Sequence, residues 1–260
     1  MRKLLIILSA LLISTSSYAD CAWSGLWAFP SGQTIKQNSI FILTAYGGSQ
    51  PIIHELNKKH NIYLKNGYEQ IKLIVTETCV GQFELTQALL KPERELEAGI
   101  QYTMFIEGLA EGDQLKHYND KSKQYEPVRY TVVKGTDTEK PVVSSIPKEI
   151  DKSYIRYGCG PAMYVIFDLP VKDSSDLVVK ATVKNLKSGK ETRYYISPND
   201  GRIEIGHGMC SGAFAFDDSK NYEVKFAFMD TSGNIADMPG EAIPFTKPTE
   251  DQWDDWKKKK

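Results

Sequence analysis

The sequence has few of the side chains on which common enzyme chemistries depend. Its 260 residues include only four histidines, and they contain no P-loop, no dinucleotide-binding glycine pattern, no G-x-S-x-G motif and no H-E-x-x-H motif. A strong charge of one sign is also lacking, since 32 basic residues stand against 33 acidic ones. Nucleic-acid-binding domains are usually strongly basic. These absences argue against the common hydrolases and dinucleotide enzymes, and against a nucleic-acid partner.

The N-terminal apolar run is too short to span a membrane. Residues 4–13 follow Met1-Arg2-Lys3 and fall well short of the roughly 20 residues that a spanning helix needs. A small-residue stretch ending at Ala19 comes next, and this order is typical of a secretory signal peptide. We expect residues 1–19 to be cleaved. The mature chain is then an exported protein without stable membrane insertion, in the periplasm, at the cell surface or outside the cell.

Helical patterns are scarce, and period-2 patterns dominate. The best helical window, residues 84–96, is limited by Pro92 to a short piece at most. Short β-branched or aromatic runs with alternating character predict strands. They lie at residues 39–46, 70–75, 102–106, 129–133, 163–167, 177–183 and 222–228. Turn signals such as Asn66-Gly67 and Ser188-Gly189 separate them. The sequence therefore predicts an all-β protein.

A polar stretch ending at Pro141 divides the chain. Pro141 favours an extended conformation for the residue before it, which is typical of a short, semi-stiff linker. We predict one domain over residues 20–135, a linker over 136–140 and a second domain over 141–247. The charged residues 248–260 then form a disordered tail. Each domain has the size and strand spacing of a β-sandwich.

Four cysteines, Cys21, Cys79, Cys159 and Cys210, lie after the signal peptide. In an exported protein they favour two disulfides, although four cysteines allow three connectivities. We favour Cys21–Cys79 and Cys159–Cys210 because each bridge then stays within one predicted domain.

The stretch "GHGMCSG", residues 206–212, offers an alternative to a bridge. It places His207 near Cys210 among glycines, as a cysteine hydrolase with a backbone oxyanion hole would require. A three-residue separation on a strand end usually puts the two side chains on opposite faces. We therefore expect Cys210 to be structural and predict no catalytic residue.

The second domain resembles the bacterial immunoglobulin-like and fibronectin-type-III-like modules that occur in tandem in exported and surface proteins. The resemblance rests on "TEKPVVSSIP", on "NYEVKFAFMDTSGNIADMPGEAIPF" and on a D-x-x-G-N turn at Asp230, Gly233 and Asn234. Tyr222 matches the tyrosine-corner position of such sandwiches. "FPSGQTIKQNSIFILTAYG" and "RELEAGIQYTMFIEGL" are similar to another such module, with Tyr102 in the corner role. The resemblance implies two consecutive immunoglobulin-like β-sandwiches.

Aromatic side chains with polar neighbours are the candidate binding surface. Such side chains suit glycan or peptide recognition, although aromatic residues of a sandwich are more often core. The candidates are Trp23, Trp27, Tyr194, Tyr195, Trp253 and Trp256. Trp253 and Trp256 belong to the tail, where "EDQWDDWKKKK" balances four acidic residues with four lysines.

We expect a non-enzymatic interaction or scaffold module that binds a protein or glycan partner. A carbohydrate-binding accessory protein is the first alternative, and a cysteine hydrolase that uses Cys210 and His207 is the second. We expect no cofactor and no metal. The acidic loop around Asn119 and Asp120 lacks the glycine and terminal glutamate of an EF-hand, so a solvated hairpin tip is the simpler interpretation.

Overall fold

The computed structural model describes residues 24–250, except residues 68, 218, 239 and 241. β-Strands dominate this part of the chain, so the predicted all-β class is confirmed. Each of the seven predicted strand regions overlaps an observed strand. The predicted signal peptide, Cys21, Trp23, Trp253 and Trp256 lie outside the described residues.

In the N-terminal half, residues 24–135, eight strands follow one another in a single hydrogen-bonded order. The strands are β1 (Ser24–Phe29), β2 (Thr34–Ile35), β3 (Phe41–Gly47), β4 (Ile62–Asn66), β5 (Glu69–Val80), β6 (Leu85–Pro92), β7 (Gln101–Ile106), β8 (Lys116–Asn119), β9 (Gln124–Pro127) and β10 (Arg129–Val132). The order is β1-β3-β6-β5-β4-β7-β10-β2, and β8 and β9 form a separate hairpin. A short helix, α1 (Gln50–Glu55), follows β3.

Strand β5 belongs to two pairings. Its first residues pair with β4, where Ile71 lies opposite Leu64. Its later residues pair with β6, and the register shifts between Val75 and Glu77. Such an irregularity bends a strand and increases its twist. The group β1-β3-β6-β5 can therefore turn away from the group β4-β7-β10-β2.

The best helical window, residues 84–96, contains no helix in the structure, because most of it forms β6. Its side chains alternate in direction. Ala88 and Leu90 pack into the core of the N-terminal half, whereas Leu85 and Leu89 pack against the C-terminal half. A strand that is covered on both faces carries apolar residues on both faces, so its period-2 pattern is hidden.

The C-terminal half, residues 141–250, contains two larger sheets and a small one. The strands are β11 (Val142–Val143), β12 (Glu149–Tyr157), β13 (Gly160–Asp168), β14 (Val171–Lys172), β15 (Leu177–Asn185), β16 (Glu191–Ile196), β17 (Arg202–His207), β18 (Asn221–Asp230), β19 (Ile235–Asp237) and β20 (Ile243–Thr246). One sheet has the order β12-β13-β17. The other has the order β16-β15-β18-β19, with β20 also paired to β18, and β11 pairs with β14.

Buried apolar side chains of the described residues form two clusters. One lies within the N-terminal half and contains Phe41, Leu43 and Ala45 of β3. The other lies in the C-terminal half but also includes Ile42 of β3 and Cys79 of β5. Successive residues of β3 therefore face different cores. The sheet that carries β3 and β6 is buried on both faces, and its outer face meets the C-terminal half.

The motifs that carried the family resemblance form the expected local structures in the C-terminal half. Asp230 accepts hydrogen bonds from the backbone N–H groups of Ser232 and Asn234, each at 2.8 Å, and Gly233 has φ +83°. The Tyr222 hydroxyl accepts the N–H of Asp217 at 3.0 Å, five residues upstream. A hydroxyl that bonds backbone a few residues upstream is the defining contact of a tyrosine corner.

The segment predicted as a linker contacts both halves. The carbonyl of Asp137 accepts hydrogen bonds from Asn38 Nδ2 at 2.6 Å and from Asn234 Nδ2 at 3.1 Å. The N–H of Ile40 also donates to the carbonyl of Thr231 at 2.9 Å. The segment is thus held by hydrogen bonds on both sides. The domain boundaries at 20–135 and 141–247 stay a prediction.

Candidate functional site

A buried glutamine connects the two halves. Gln87 of β6 donates from Nε2 to the carbonyl of Tyr195 at 2.9 Å and accepts the Tyr195 N–H on Oε1 at 3.1 Å. Its Nε2 also donates to Thr44 Oγ1 at 3.1 Å. Tyr195 belongs to β16, which is the outer strand of its sheet. The glutamine side chain therefore takes the place of a neighbouring strand at this edge.

An ion-pair network lies beside this contact. Glu77 of β5 accepts a hydrogen bond from Lys180 Nζ at 2.9 Å and one from the Tyr195 hydroxyl at 2.8 Å, and Arg193 approaches it to 3.7 Å. Burial alone raises the pKa of Glu77, but these bonds and positive charges outweigh it and lower the pKa below its ordinary value. The carboxylate is therefore held ionised between the halves.

The "GHGMCSG" segment joins the halves in a third place. Strand β17 ends at His207, and the chain turns back so that the Gly208 N–H donates to the Ser211 carbonyl at 2.7 Å. Gly212 then pairs with Phe83 of the N-terminal half, with N–H to carbonyl distances of 2.8 and 3.1 Å. A Cβ at Gly212 would lie 2.1 Å from the Cβ of His207. Glycine is required there because the returning chain passes so close to the strand.

The cysteines differ from the favoured pairing. Cys79 and Cys159 are free, so the predicted Cys159–Cys210 bridge is not formed and Cys79 is in no bridge. Cys159 lies at the exposed tip of the β12–β13 hairpin. Cys210 lies in the turn that leads away from β13 toward Phe83, and it is disulfide-bonded. Burial raises the pKa of the Cys79 thiol to about 11, which keeps it protonated and unreactive.

A cleft of about 780 Å³ lies between the halves. Its N-terminal wall comes from β1, β3 and β6 and includes Trp27, Thr44 and Gln87. Its C-terminal wall comes from β13, β16, β17 and the loops around them, and includes Tyr164 and Glu204. Ligand sites occur preferentially at such junctions and have volumes of about 300–1,000 Å³.

Three of the candidate aromatic residues, Trp27, Tyr194 and Tyr195, line this one cleft. Trp27 is 49% exposed, and its indole lies against Gly25, where an added Cβ would meet the ring at 3.3 Å. Tyr194 and Tyr195 are each only 3% exposed. The expectation that these two tyrosines form an exposed surface is therefore corrected. They pack in the core that spans the junction.

The tyrosine hydroxyls of the cleft remain protonated. Burial raises the pKa of Tyr164 to about 12, and the nearby charge of Glu204 adds to the shift. Burial raises the pKa of Tyr194 beyond its usual range as well. The Tyr194 hydroxyl lies beside the Thr44 side chain and has no partner of hydrogen-bonding geometry among the described residues. These groups therefore have hydroxyls that can serve as donors at any physiological pH.

Sequence reasoning missed the polar residues of the junction. Gln87 and Thr44 are buried, and each lies in a strand of mainly apolar residues. A polar side chain at a covered position of such a strand needs a partner. This is the only signal that the sequence gives, and it does not identify the partner.

Three carboxylates meet at the other side of the junction. Oxygens of Asp137, Asp173 and Asp230 lie within 4.8 Å of one another. Burial raises the pKa of Asp230, and the charge of Asp137 adds to this effect, although hydrogen bonds from Asn234 and Ser232 oppose it. Because the Asp230 oxygens are already bonded within their own turn, we assign no ligand to this group.

Comparisons with known proteins give weak structural likenesses. No family model and no curated protein matches the chain. It is similar to a pullulanase from Anoxybacillus sp. LM18-11 complexed with maltotriose, with 9% identity, a TM-score of 0.24 and coverage of 80% of this chain and 24% of that chain. The chain thus spans about a quarter of the pullulanase.

Two other solved structures are similar at the same level. The N-terminal part of the bacterial S-layer protein SbsC has 13% identity, a TM-score of 0.24 and coverage of 85% of this chain and 42% of that chain. The calcium binding domain CBD12 of CALX1.1 has 10% identity, a TM-score of 0.21 and coverage of 79% and 80%. Among the described residues, no helix has the length and apolar character needed to cross a membrane.

Proposed function

We propose that the chain is a non-enzymatic binding protein built from two immunoglobulin-like modules, with its ligand in the cleft between them. The strand orders support the modules. In the N-terminal half, β1-β3-β6-β5 and β4-β7-β10 match the order A-B-E-D and C-F-G of an immunoglobulin sandwich. In the C-terminal half, β12-β13-β17 corresponds to A-B-E. In the other sheet β15 takes the place of strand C, between β16 and β18.

The cleft is the observation that carries the proposal. Residues distant in the sequence, from Trp27 to Ala213, meet around one cavity of about 780 Å³. A half-exposed tryptophan with buried polar groups beside it is typical of a site that orients a ligand by a few directed contacts. Hydrogen bonds and ion pairs between the halves hold the cleft walls in place.

A non-catalytic role is supported by the state of the candidate nucleophile. A disulfide-bonded Cys210 has no thiolate with which to attack a substrate. His207 is buried, and its Nδ1 lies 2.8 Å from the carbonyl of Gly208. The alternative of a cysteine hydrolase is therefore disfavoured. Export to the periplasm, the cell surface or the medium is part of the proposal, and its support is the leader-like sequence of residues 1–19.

The test is amide NMR of the mature protein with a panel of small sugars and short peptides. We expect at least one compound to shift the signals of Trp27, Ser197 and Gly206 together, because all three line the cleft. Trp27→Ala should weaken that binding about tenfold or more. Tyr125→Ala is the matched control, since Tyr125 is 72% exposed on the β8–β9 hairpin. Shifts confined to that hairpin, or binding that Trp27→Ala leaves unchanged, would contradict the proposal.

A further inference from the structure

The charges of the cleft restrict the class of ligand. Two carboxylates, Asp176 and Glu204, belong to the lining, and the described lining residues include no lysine, arginine or histidine. An anionic ligand would meet two like charges without a compensating cation. The cleft is therefore suited to a neutral or cationic molecule, and acidic polysaccharides and phosphorylated ligands are disfavoured.

The two carboxylates stand on one wall and the exposed ring on the other. Glu204 of β17 lies near the Tyr164 hydroxyl, whereas Trp27 projects from β1 of the N-terminal half. Asp176 approaches the loop of the N-terminal half, 3.6 Å from the position of a Cβ on Gly32. A ligand that fills the cleft therefore contacts an aromatic face on one side and hydrogen-bonding groups on the other.

Two of the strand edges beside the cleft are bonded in part, which disfavours an added peptide strand at β16 and β17. The edge of β16 is bonded at Tyr195 by Gln87. The edge of β17 is bonded at Gly206 by the Phe214 N–H and at Arg202 by Asn199. Strand addition depends on free main-chain groups along an edge. Recognition at these two edges therefore depends mainly on side chains.

On the basis of the proposed function, we infer that the ligand is a neutral oligosaccharide. The C–H face of a sugar ring packs on an indole such as that of Trp27, which is large, rigid and half exposed. Sugar hydroxyls can donate to the carboxylates of Glu204 and Asp176 and can accept from the tyrosine hydroxyls. Tyr164 and Glu204 both line the cleft, so a hydroxyl donor and a carboxylate acceptor lie on the wall that faces Trp27.

The experiment is isothermal titration calorimetry of the mature protein with five probes of three classes. They are linear neutral hexasaccharides of glucose, xylose and mannose, an oligogalacturonate of equal length, and hexalysine. Each is measured with the unmodified protein, with Trp27→Ala, Trp27→Phe and Glu204→Gln, and with the control Tyr125→Ala. We expect one neutral hexasaccharide to bind, and Trp27→Ala to weaken it about tenfold or more. Trp27→Phe should weaken it less, and the control should leave it unchanged.

Salt dependence distinguishes the ligand classes. Binding of a neutral sugar should change little between about 0.05 and 0.5 M NaCl, because no ion pair is formed. Hexalysine binding should weaken steeply over the same range. If only hexalysine binds, and does so through Trp27 and Glu204, the sugar class is overturned while the cleft remains a binding site. If oligogalacturonate binds as tightly as the neutral sugars, the charge argument fails. If no probe binds the unmodified protein, both the ligand class and the proposed function are overturned.

Discussion

Replacing Gln87 with alanine should destabilise the junction between the halves, and by more than the loss of the side chain's apolar contacts alone. The side chain satisfies the N–H and the carbonyl of Tyr195, and it also bonds Thr44. Gln87 is 6% exposed and Tyr195 is 3% exposed, so water does not readily replace these bonds. Gln87→Ala therefore leaves two buried backbone groups of β16 without partners.

The magnitude follows from the number of groups left unpaired. Each buried polar group without a partner costs about 1–3 kcal/mol, so two of them cost roughly 2–6 kcal/mol. For a chain of this size, 1 kcal/mol lowers the melting temperature by about 2–4 °C. We expect a decrease of roughly 4–24 °C. Gln87→Glu should be at least as harmful, because it places an oxygen where Nε2 now donates to the Tyr195 carbonyl.

Differential scanning calorimetry of the mature protein measures the effect. The control is Gln101→Ala, which removes an exposed glutamine whose side chain bonds only Thr131, at 3.3 Å. A surface substitution of this kind should change stability by less than about 0.5 kcal/mol. If Gln87→Ala lowers the melting temperature no more than Gln101→Ala does, the glutamine does not hold the two halves together.

Three other predictions concern the junction and the cysteines. The lowered pKa of Glu77 contributes stability above its ordinary pKa of 4.5 and loses it as the pH falls through the lowered value. Glu77→Gln should therefore be less stable at pH 7 and less sensitive to acidification in urea titrations. Gly212→Ala should lower the free energy of unfolding by about 3 kcal/mol or more, because the added Cβ meets backbone. Gly158→Ala should be nearly neutral by the same assay, because a Cβ there meets nothing within 4 Å. In mass-spectrometric labelling at pH 8, iodoacetamide should modify exposed Cys159 in the native protein and buried Cys79 only after unfolding; rapid native labelling of Cys79 would contradict its burial.

The strands could be predicted wherever one face of a sheet is covered and the other is less so. In β18, buried and less buried residues alternate from Tyr222 onward, and the period-2 pattern is plain. In β6 it is not, because Leu85 and Leu89 face one core while Ala88 and Leu90 face another. The helix-like pattern of residues 84–96 thus has the same cause as the junction itself, since a sheet that is covered on both faces no longer shows which period it follows.

The candidate site could be predicted only in part. Trp27, Tyr194 and Tyr195 were identified as candidate recognition residues, and all three line one cleft. Their exposures differ because the outer face of the N-terminal sheet is itself an interface, which covers the tyrosines and leaves Trp27 half exposed. The partners of Gln87 and Glu77 lie about 100 residues away in the sequence, at Tyr195 and Lys180. No local pattern encodes such a pairing.

The turn at residues 206–212 shows why composition alone misleads about cysteine and histidine. Glycines next to a thiol and an imidazole resemble a reactive loop. The even number of cysteines favoured instead a bridge between Cys210 and Cys159 within one half. The observed geometry gives the glycines another role. Gly212 pairs with Phe83 and passes close to His207, so that a Cβ added to Gly212 would lie 2.1 Å from the His207 Cβ. The glycines of this segment therefore serve a close backbone approach between the halves, and Cys159 is free at the β12–β13 hairpin tip.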